Sequence, residues 1–561
     1  MKRTILLFII SLSLLQLSCK KVLEEDVRSQ ISDGYLNTPT GWQEGVNGCY
    51  NSLRSWYGQT NPGWLTVFGT DEYTYGASEI GFDTYNNDIN PTSAVILGPW
   101  NSMYSAINAC NAVINRAPDI DLDSTLKKAR LGEALFLRAH AYFILVQLYG
   151  PVYITLQQTS GTSRIATRSP IDSIYNVIID DLTTAVADLP QTSPDWGRIT
   201  LPAAKHLLAK VYLTRAGGPA KQTGDYAKAA QLATEVISTP GPQLLPDFAS
   251  IFVQGPGEKN AEVLLSAQYS TEPLTNTGGQ RSHMLFLADY TSQSGMVRDL
   301  ANGRPFAHFR PTDWMTTLYN KTYDARFDKT FRTVWLCNKA GTYAINKDIV
   351  PNKTVAMKLR DTAFVIGDRE YTDAERNAKN YTLIPKSKIV RNVNGGGNYG
   401  SVYPTNLKFY DSLRTDVNSQ EGTRDFIIFR LAETYLIAAE AYIMDGKPDL
   451  ALPYVNAIRR RAAKTGATAA ITAANQTAME VTLAQMTLDF ILDERARELS
   501  GEYMRWFDLV RTNKLLERVK LYNPSAAAGI KPYHVLRPIP QQQIDRTEGG
   551  ATAFPQNEGY Q

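Results

Sequence analysis

Apolar residues recur at the period of an α-helix along several stretches of this chain. The clearest is 127–148, where alanines and leucines three and four positions apart form a broad stripe that stops at Gly150-Pro151. Stretches with the same period predict further helices at 171–189, 202–214, 225–237, 425–444, 449–462 and 483–515. The pattern predicts helices joined by turns, mostly in pairs.

Two of these pairs resemble each other. Residues 208–213 (LAKVYL) precede 225–230 (DYAKAA), and 438–443 (AAEAYI) precede 449–452 (DLAL). In both, a helix with small residues and a tyrosine leads through a turn to a helix that opens with aspartate. This is typical of tetratricopeptide-like repeats, whose units bury their apolar faces only by stacking on one another.

Residues 240–422 differ in composition from the helical stretches, because Gly, Pro, Asn, Thr and Tyr are frequent there. Short strands are predicted at 330–337 and 381–390. We therefore predict a mainly α fold of tetratricopeptide-like helix pairs with an inserted loop-rich region containing short strands. The expected parts are an N-terminal helical region 27–239, the irregular region 240–422, and a C-terminal helical region 423–561 whose tail, 538–561, is extended. Loops on a rigid scaffold are where binding sites are usually found.

The N-terminus predicts export. A basic start, Met1-Lys2-Arg3, precedes the mostly apolar run 5–17, which is shorter than the roughly 20 residues that span a bilayer. Residues 1–18 therefore predict a signal peptide. Ser18 before Cys19 fits a bacterial lipoprotein in which Cys19 is acylated and 19–26 form a lipidated tether. An ordinary secreted protein, or a cytosolic one with an apolar start, is the alternative.

Composition excludes several classes of function. A net charge of +3 over 561 residues gives no strong basic field, so no nucleic-acid partner is expected. Cys49, Cys110 and Cys337 show no CxxC spacing, which argues against a zinc site and a disulfide framework. Cys49 and Cys110 lie in predicted helices and either pair or, as we favour, stay as buried thiols. The five histidines lack metal-ligand spacing, and no nucleotide-binding or nucleophile motif occurs. We expect no metal, no cofactor, no catalytic residue and no enzyme activity.

Residues 493–511 are densely charged, with Glu494 and Glu498 four positions apart and Arg505 and Asp508 three apart. Such spacings suit helix-surface ion pairs worth about 0.2–0.5 kcal/mol each. A general acid–base pair also needs a cleft and tuned pKa values, so we favour a structural network. The alternative is a glycoside hydrolase whose release of reducing ends vanishes in Glu498→Gln.

A cluster of aromatic and acidic residues lies in a Gly- and Asn-rich stretch before Trp100. Flat aromatic rings suit the apolar C–H face of a sugar, and carboxylates suit its hydroxyls. The alternative is that the rings pack under the loop. The candidate ligand-binding residues are Trp64, Asp71, Glu72, Tyr73, Tyr75 and Tyr85, followed in the irregular region by Tyr290, Arg298 and Trp314.

Several motifs resemble the SusD/RagB family of nutrient-binding outer-membrane lipoproteins. Residues 130–139 (RLGEALFLRA) are similar to the family's first marker helix. Residues 493–499 (DERAREL), continuing through Gly501-Glu502 and 505–509 (RWFDL), resemble its most specific stretch. The ending, 537–540 (RPIP) with 555–560 (PQNEGY), looks like its C-terminal motif. Tyr503-Met504 departs from the Gly-His that is common before Arg505-Trp506.

The resemblance implies a lipid-anchored protein of the outer membrane that faces the cell exterior and works with a SusC-like TonB-dependent transporter. Members bind glycans most often and peptides in some cases, so we expect capture of a glycan or oligosaccharide. A peptide-binding member, or a scaffold that docks a surface protein without binding a ligand, is the alternative. The acidic Glu24-Glu25-Asp26 come later after Cys19 than is usual in the family's surface-export signal.

Overall fold

The computed structural model describes residues 33–77, 81–276, 278–389 and 399–560, so the predicted signal peptide, Cys19 and the tether lie outside the described residues. Helices dominate and strands are short, which confirms the mainly α prediction. In the first half the helices are α1 (Asp33–Leu36), α2 (Pro39–Cys49), α3 (Asn51–Trp56), α4 (Thr60–Thr66), α5 (Gly81–Thr84), α6 (Ala94–Arg116), α7 (Ser124–Tyr149), α8 (Ile171–Asp188), α9 (Leu201–Gly217) and α10 (Asp225–Ser238).

The second half carries shorter helices. They are α11 (Ser282–Leu285), α12 (Asp313–Thr317), α13 (Arg326–Thr330), α14 (Asp373–Asn377), α15 (Lys386–Ile389), α16 (Leu431–Met444), α17 (Pro448–Arg461), α18 (Ala469–Met479), α19 (Leu488–Leu499), α20 (Arg505–Arg511), α21 (Leu515–Tyr522), α22 (Pro524–Ala527), α23 (Gln541–Arg546) and α24 (Gly550–Ala553).

Helix α7 is the central helix of the core. The Asp123 side chain caps its N-terminus by accepting from the Leu126 N–H at 3.0 Å, and Gly150 ends it with a positive φ of 71°. It is long and apolar enough to cross a membrane, but 89% of its most apolar window is buried in the protein. It is therefore the core helix that its broad stripe predicted.

The predicted repeat is present in space. Helix α9 packs against α10 and α16 against α17, and α10 also packs against α16. The two similar pairs therefore stack directly, although the irregular region separates them in sequence. Their small residues, such as Ala209, Ala230, Ala438 and Ala441, are fully or almost fully buried where the helices approach.

The strands form small, mostly antiparallel sheets. Strand β1 pairs with β3, β2 with β11, β4 with β10, β5 with β8 and β6 with β7, while β9 lies parallel to β8. Their bounds are β1 (Tyr73–Tyr75), β2 (Val263–Ala267), β3 (Phe309–Pro311), β4 (Phe331–Arg332), β5 (Val334–Leu336), β6 (Gly341–Ala344), β7 (Thr354–Met357), β8 (Thr362–Ile366), β9 (Thr382–Ile384), β10 (Thr405–Asn406) and β11 (Phe426–Arg430).

Four predicted elements differ from the structure. The strand predicted at 381–390 is limited to β9, because Lys386–Ile389 is helical. The stretch 425–444 begins as β11, because its backbone pairs with β2, and becomes helical only at Leu431. The stretch 483–515 is broken between α19 and α20, where Gly501 turns the chain with a φ of 76°. The tail is not fully extended, since it carries α23 and α24.

Candidate ligand-binding site

The predicted cluster between residues 64 and 85 folds largely into the interior. Strand β1 lies antiparallel to β3, with Tyr73 opposite Pro311 and Tyr75 opposite Phe309. The Tyr73 hydroxyl lies 2.7 Å from the Ser500 hydroxyl and accepts from Asn406 Nδ2 at 2.8 Å. Tyr73 is fully buried and Tyr75 is 6% exposed. Strand β1 therefore holds two tyrosines of the cluster away from solvent.

The two acidic residues of the cluster are also buried. Asp71 accepts from Arg505 at 2.6 and 2.7 Å and from Arg518 at 2.7 Å. Burial alone would raise its pKa, but these guanidinium groups outweigh burial and lower it. For Glu72 the balance is reversed: burial raises its pKa to about 8 despite the opposing charge of Arg505. Both side chains face protein groups.

Tyr85 completes the interior set, because it is 4% exposed and its hydroxyl donates to the Gly69 carbonyl at 2.8 Å. This corrects the expected exposure of most of the cluster. The physical reason is that strand pairing and ion pairing with distant segments cover these side chains. Five residues of the cluster are therefore buried, each with at most 6% of its surface exposed: Asp71, Glu72, Tyr73, Tyr75 and Tyr85.

The second-rank candidates are spread over the irregular region. Tyr290 is fully buried and stacks on Trp335 at 4.7 Å. Trp314 is half-buried and stacks on Tyr522 at 4.7 Å, with the Arg518 guanidinium 4.9 Å from its ring. Each of these two rings therefore stacks on another ring of the protein.

Trp64 is the aromatic residue of the first cluster that reaches the surface. It lies in α4, half-buried, with its ring 6.0 Å from His308, and the His308 ring is 5.9 Å from Phe306. Phe306 and His308 are half-buried and precede β3 in the chain. We call Trp64, Phe306 and His308 the aromatic ledge. Two of its three rings come from the segment directly before β3.

Two polar groups extend the ledge. The Arg304 guanidinium lies 5.1 Å from the Phe306 ring and donates to the Asn418 carbonyl. Arg298, a predicted contact, donates to Asn418 Oδ1 at 2.9 Å. Asn418 therefore joins a predicted residue to Arg304, which sequence reasoning missed. The signal for the missed residues was the segment 304–309 (RPFAHF), in which Arg304, Phe306 and His308 stand at alternate positions.

The geometry of the ledge suits stacking. Burial lowers the pKa of His308, so its ring is neutral at neutral pH and acts as a flat surface. The residues of the ledge line neither of two cavities of about 690 and 430 Å³. A surface of this kind suits a polymeric ligand, because the polymer continues past the contact on either side.

The charged stretch 493–511 forms an ion-pair network, but a buried one. Glu498 accepts from Arg326 at 3.0 Å, from Arg430 at 2.7 Å and from Arg461. Burial would raise the pKa of Glu498, yet the Arg461, Arg430 and Arg326 charges lower it to about 2. Its neighbour Glu494 is equally buried between arginines. These carboxylates are structural, and they lie inside the protein rather than on the helix surface as expected.

Cys49 and Cys110 are free, buried thiols in contact with each other. Among the described residues, no group of three or more His, Cys, Asp or Glu side chains is placed to hold a metal ion.

The stacked helix pairs define a helical-repeat protein, and its half-buried aromatic ledge is a surface on which a ligand could stack. The SusD family model matches residues 261–560, and a model described as "Starch-binding associating with outer membrane" matches residues 47–213. The first match covers more than half of the chain. The chain belongs to the SusD family, which confirms the resemblance of its motifs.

Individual proteins agree with this assignment. The chain is similar to SusD-like protein P2 of Formosa agariphila, at 26% identity over 100% of both chains. It is also similar to the starch-binding protein SusD of Bacteroides thetaiotaomicron, at 25% identity over 76% of this chain and 72% of that one. A crystal structure of a SusD homologue from B. thetaiotaomicron matches with a TM-score of 0.68 at 21% identity, covering 94% of this chain and 98% of the other. That likeness shows the fold.

Proposed function

We propose that this protein captures a glycan or oligosaccharide on the aromatic ledge and passes it to a SusC-like TonB-dependent transporter. The observation that carries the proposal is the ledge itself, because three half-buried rings neighbour one another there, whereas the tyrosine candidates are buried and the Trp314 ring is stacked on Tyr522. Sugars stack their C–H faces on such rings, and rigid rings lose little conformational entropy on binding. The starch-binding description of the family model supports a glycan ligand.

The proposed location is the outer membrane, with the chain anchored through acylated Cys19 and facing the cell exterior. The family model's association with the outer membrane supports this location, while the anchor and the orientation rest on the sequence pattern around Cys19. Anchoring by more than one acyl chain is stable where a single chain is marginal. Mass spectrometry of the mature protein tests the anchor by the presence or absence of fatty acids on Cys19.

Calorimetry of the purified mature chain against a panel of glycans tests ligand binding. Trp64→Ala removes the largest ring of the ledge, and we expect a loss of about 1–2 kcal/mol, or roughly 5- to 30-fold in affinity. Trp314→Ala is the matched control, because its ring is already covered by Tyr522 and Arg518. Circular dichroism checks that both variants fold.

The panel also separates the alternatives. If Trp64→Ala and Trp314→Ala lose the same amount of glycan affinity, the ledge is not the binding site. Binding of peptides without measurable binding of any glycan would indicate the peptide-binding alternative. Co-purification of a transporter with no measurable ligand affinity would indicate a docking scaffold.

A further inference from the structure

Four arginines lie together at one end of the aromatic ledge. Arg298 and Arg304 both donate to Asn418, one to its side-chain oxygen and the other to its carbonyl. Both side chains are half-buried, and the Arg304 Nε atom is buried without a hydrogen-bond partner among the described residues. Arg304 also flanks the Phe306 ring at 5.1 Å. A ligand stacked on the ledge therefore meets positive charge at this end.

Two further guanidinium groups lie close behind them. Arg332 donates to Asn302 Oδ1 at 3.2 Å, and its guanidinium is 4.7 Å from the Trp335 ring. Arg414 is 3% exposed and lies beside Gly303, and its Nε and Nη2 atoms have no hydrogen-bond partner among the described residues. We call Arg298, Arg304, Arg332 and Arg414 the arginine cluster.

The arginine cluster differs from the buried network around Glu498, where each guanidinium contacts carboxylates directly. Within the described ranges, the hydrogen bonds of the cluster go to amide and carbonyl oxygens, and no carboxylate oxygen lies within 4.0 Å of its nitrogens.

The nearest carboxylates are occupied by other groups. Asp299 accepts from Asn302 and Asn338. Asp411 accepts from the backbone N–H groups of Leu413, Thr423 and Arg424. Asp416 accepts from the Asn418 N–H at 2.7 Å. The cluster therefore carries four positive charges against these three negative ones, and none of the three is paired with it directly.

We propose that the ledge and the arginine cluster together select an anionic glycan, with Arg298 and Arg304 holding a carboxylate or sulfate group of the sugar that stacks on the ledge. The inference rests on the proposed glycan-binding function and names its substrate class. The guanidinium fork matches the two oxygens of a carboxylate or sulfate, and charge-assisted hydrogen bonds are about twice as strong as neutral ones. Arg332 and Arg414 strengthen the site through their charge, without contacting the ligand.

Binding of matched probes tests the inference. The probes are a short oligogalacturonate, its carboxyl-reduced neutral counterpart, dextran sulfate and dextran, measured by calorimetry with the full mature chain. We expect at least a roughly 10-fold preference for an acidic probe over its neutral counterpart. That preference falls as salt rises from about 0.01 to about 0.5 M, because added ions screen the attraction between a charged ligand and the protein surface. The two acidic probes distinguish a carboxylate ligand from a sulfate ligand, and preference for either supports the inference.

Arg304→Gln and, independently, Arg298→Gln are expected to lower the preference several-fold while weak binding of the neutral probe persists. Arg298 serves as the second variant because, within the part of the chain that the structure describes, its side chain hydrogen-bonds to Asn418 alone. Arg460→Gln is the matched control, since its side chain is 46% exposed and pairs with Glu480.

Each remaining outcome is decisive. Equal binding of acidic and neutral probes that is lost in Trp64→Ala would overturn the anionic class and leave the proposed function standing. A preference unchanged in both arginine variants would also overturn the inference. Absence of binding to all four probes and to the wider glycan panel would overturn the proposed function as well.

Discussion

Replacing Glu498 with glutamine removes one negative charge from the centre of the buried ion-pair network while preserving the shape of the side chain. Its two carboxylate oxygens receive hydrogen bonds from three guanidinium groups, those of Arg326, Arg430 and Arg461, and the Glu498 side chain is fully buried. In the variant, the three guanidinium charges have one fewer negative charge beside them inside the protein. Removing one partner of a buried pair costs about 3–5 kcal/mol.

The pKa of Glu498 gives a second route to the magnitude. Lowering it from 4.5 to about 2 corresponds to about 3 kcal/mol, at 1.36 kcal/mol for each pH unit. The folded state binds this proton more weakly than the unfolded state, so the contribution is complete above about pH 4.5 and is lost as pH falls toward 2. We therefore expect Glu498→Gln to lower the free energy of unfolding by about 3 kcal/mol at neutral pH and by less in acid.

Urea unfolding followed by circular dichroism measures both effects, with Glu480→Gln as the matched control. Glu480 pairs with Arg460 at 2.6 Å with 38% of its side chain exposed, and exposed pairs contribute about 0–1 kcal/mol. A loss in Glu498→Gln no larger than that of the control would refute the reasoning. So would a difference between variant and wild type that stays constant from neutral pH to about pH 3.

Three further results are expected. Burial raises the pKa of Glu72 to about 8, so the free energy of unfolding of the wild type should decline as pH rises from about 4.5 to 8. Glu72→Gln should remove that part of the decline. Parallel curves of unfolding free energy against pH for the two proteins would contradict this. Contact with Cys49 and burial raise the pKa of the Cys110 thiol, so both thiols should react with Ellman's reagent only after unfolding in urea; fast reaction of the folded protein, or a disulfide found by mass spectrometry, would show otherwise. Gly501→Ala should cost about 1–3 kcal/mol in urea unfolding, because φ is 76° there and a Cβ would lie 2.9 Å from Phe286; an unchanged midpoint would rule out strain.

The helix pairs could be predicted closely from sequence because helical periodicity is local. The prediction 225–237 corresponds to Asp225–Ser238, and 449–462 to Pro448–Arg461. The stretch Phe426–Arg430 failed because its strand exists through pairing with Val263–Ala267, far away in the chain. Apolar residues alone do not reveal such a partner.

The binding residues were harder to predict for the same reason. The sequence left open whether Tyr73 and Trp64 face a ligand or pack under the loop. Tyr73 is buried, and its hydroxyl contacts Ser500, more than 400 residues away. Phe306 and His308 stand at alternate positions before β3, but this short alternation does not reveal that the His308 ring lies beside Trp64, far earlier in the chain. Contacts between segments that lie far apart in the chain decide which of these rings are exposed, and local sequence patterns do not reveal such contacts.

The link between Asp71 and Arg505 spans 434 residues. At a synthesis rate of about 5–20 residues per second, the carboxylate waits roughly 20–90 seconds before its guanidinium partner exists. The loop under the ledge therefore acquires its final support only after the nascent polypeptide is nearly finished.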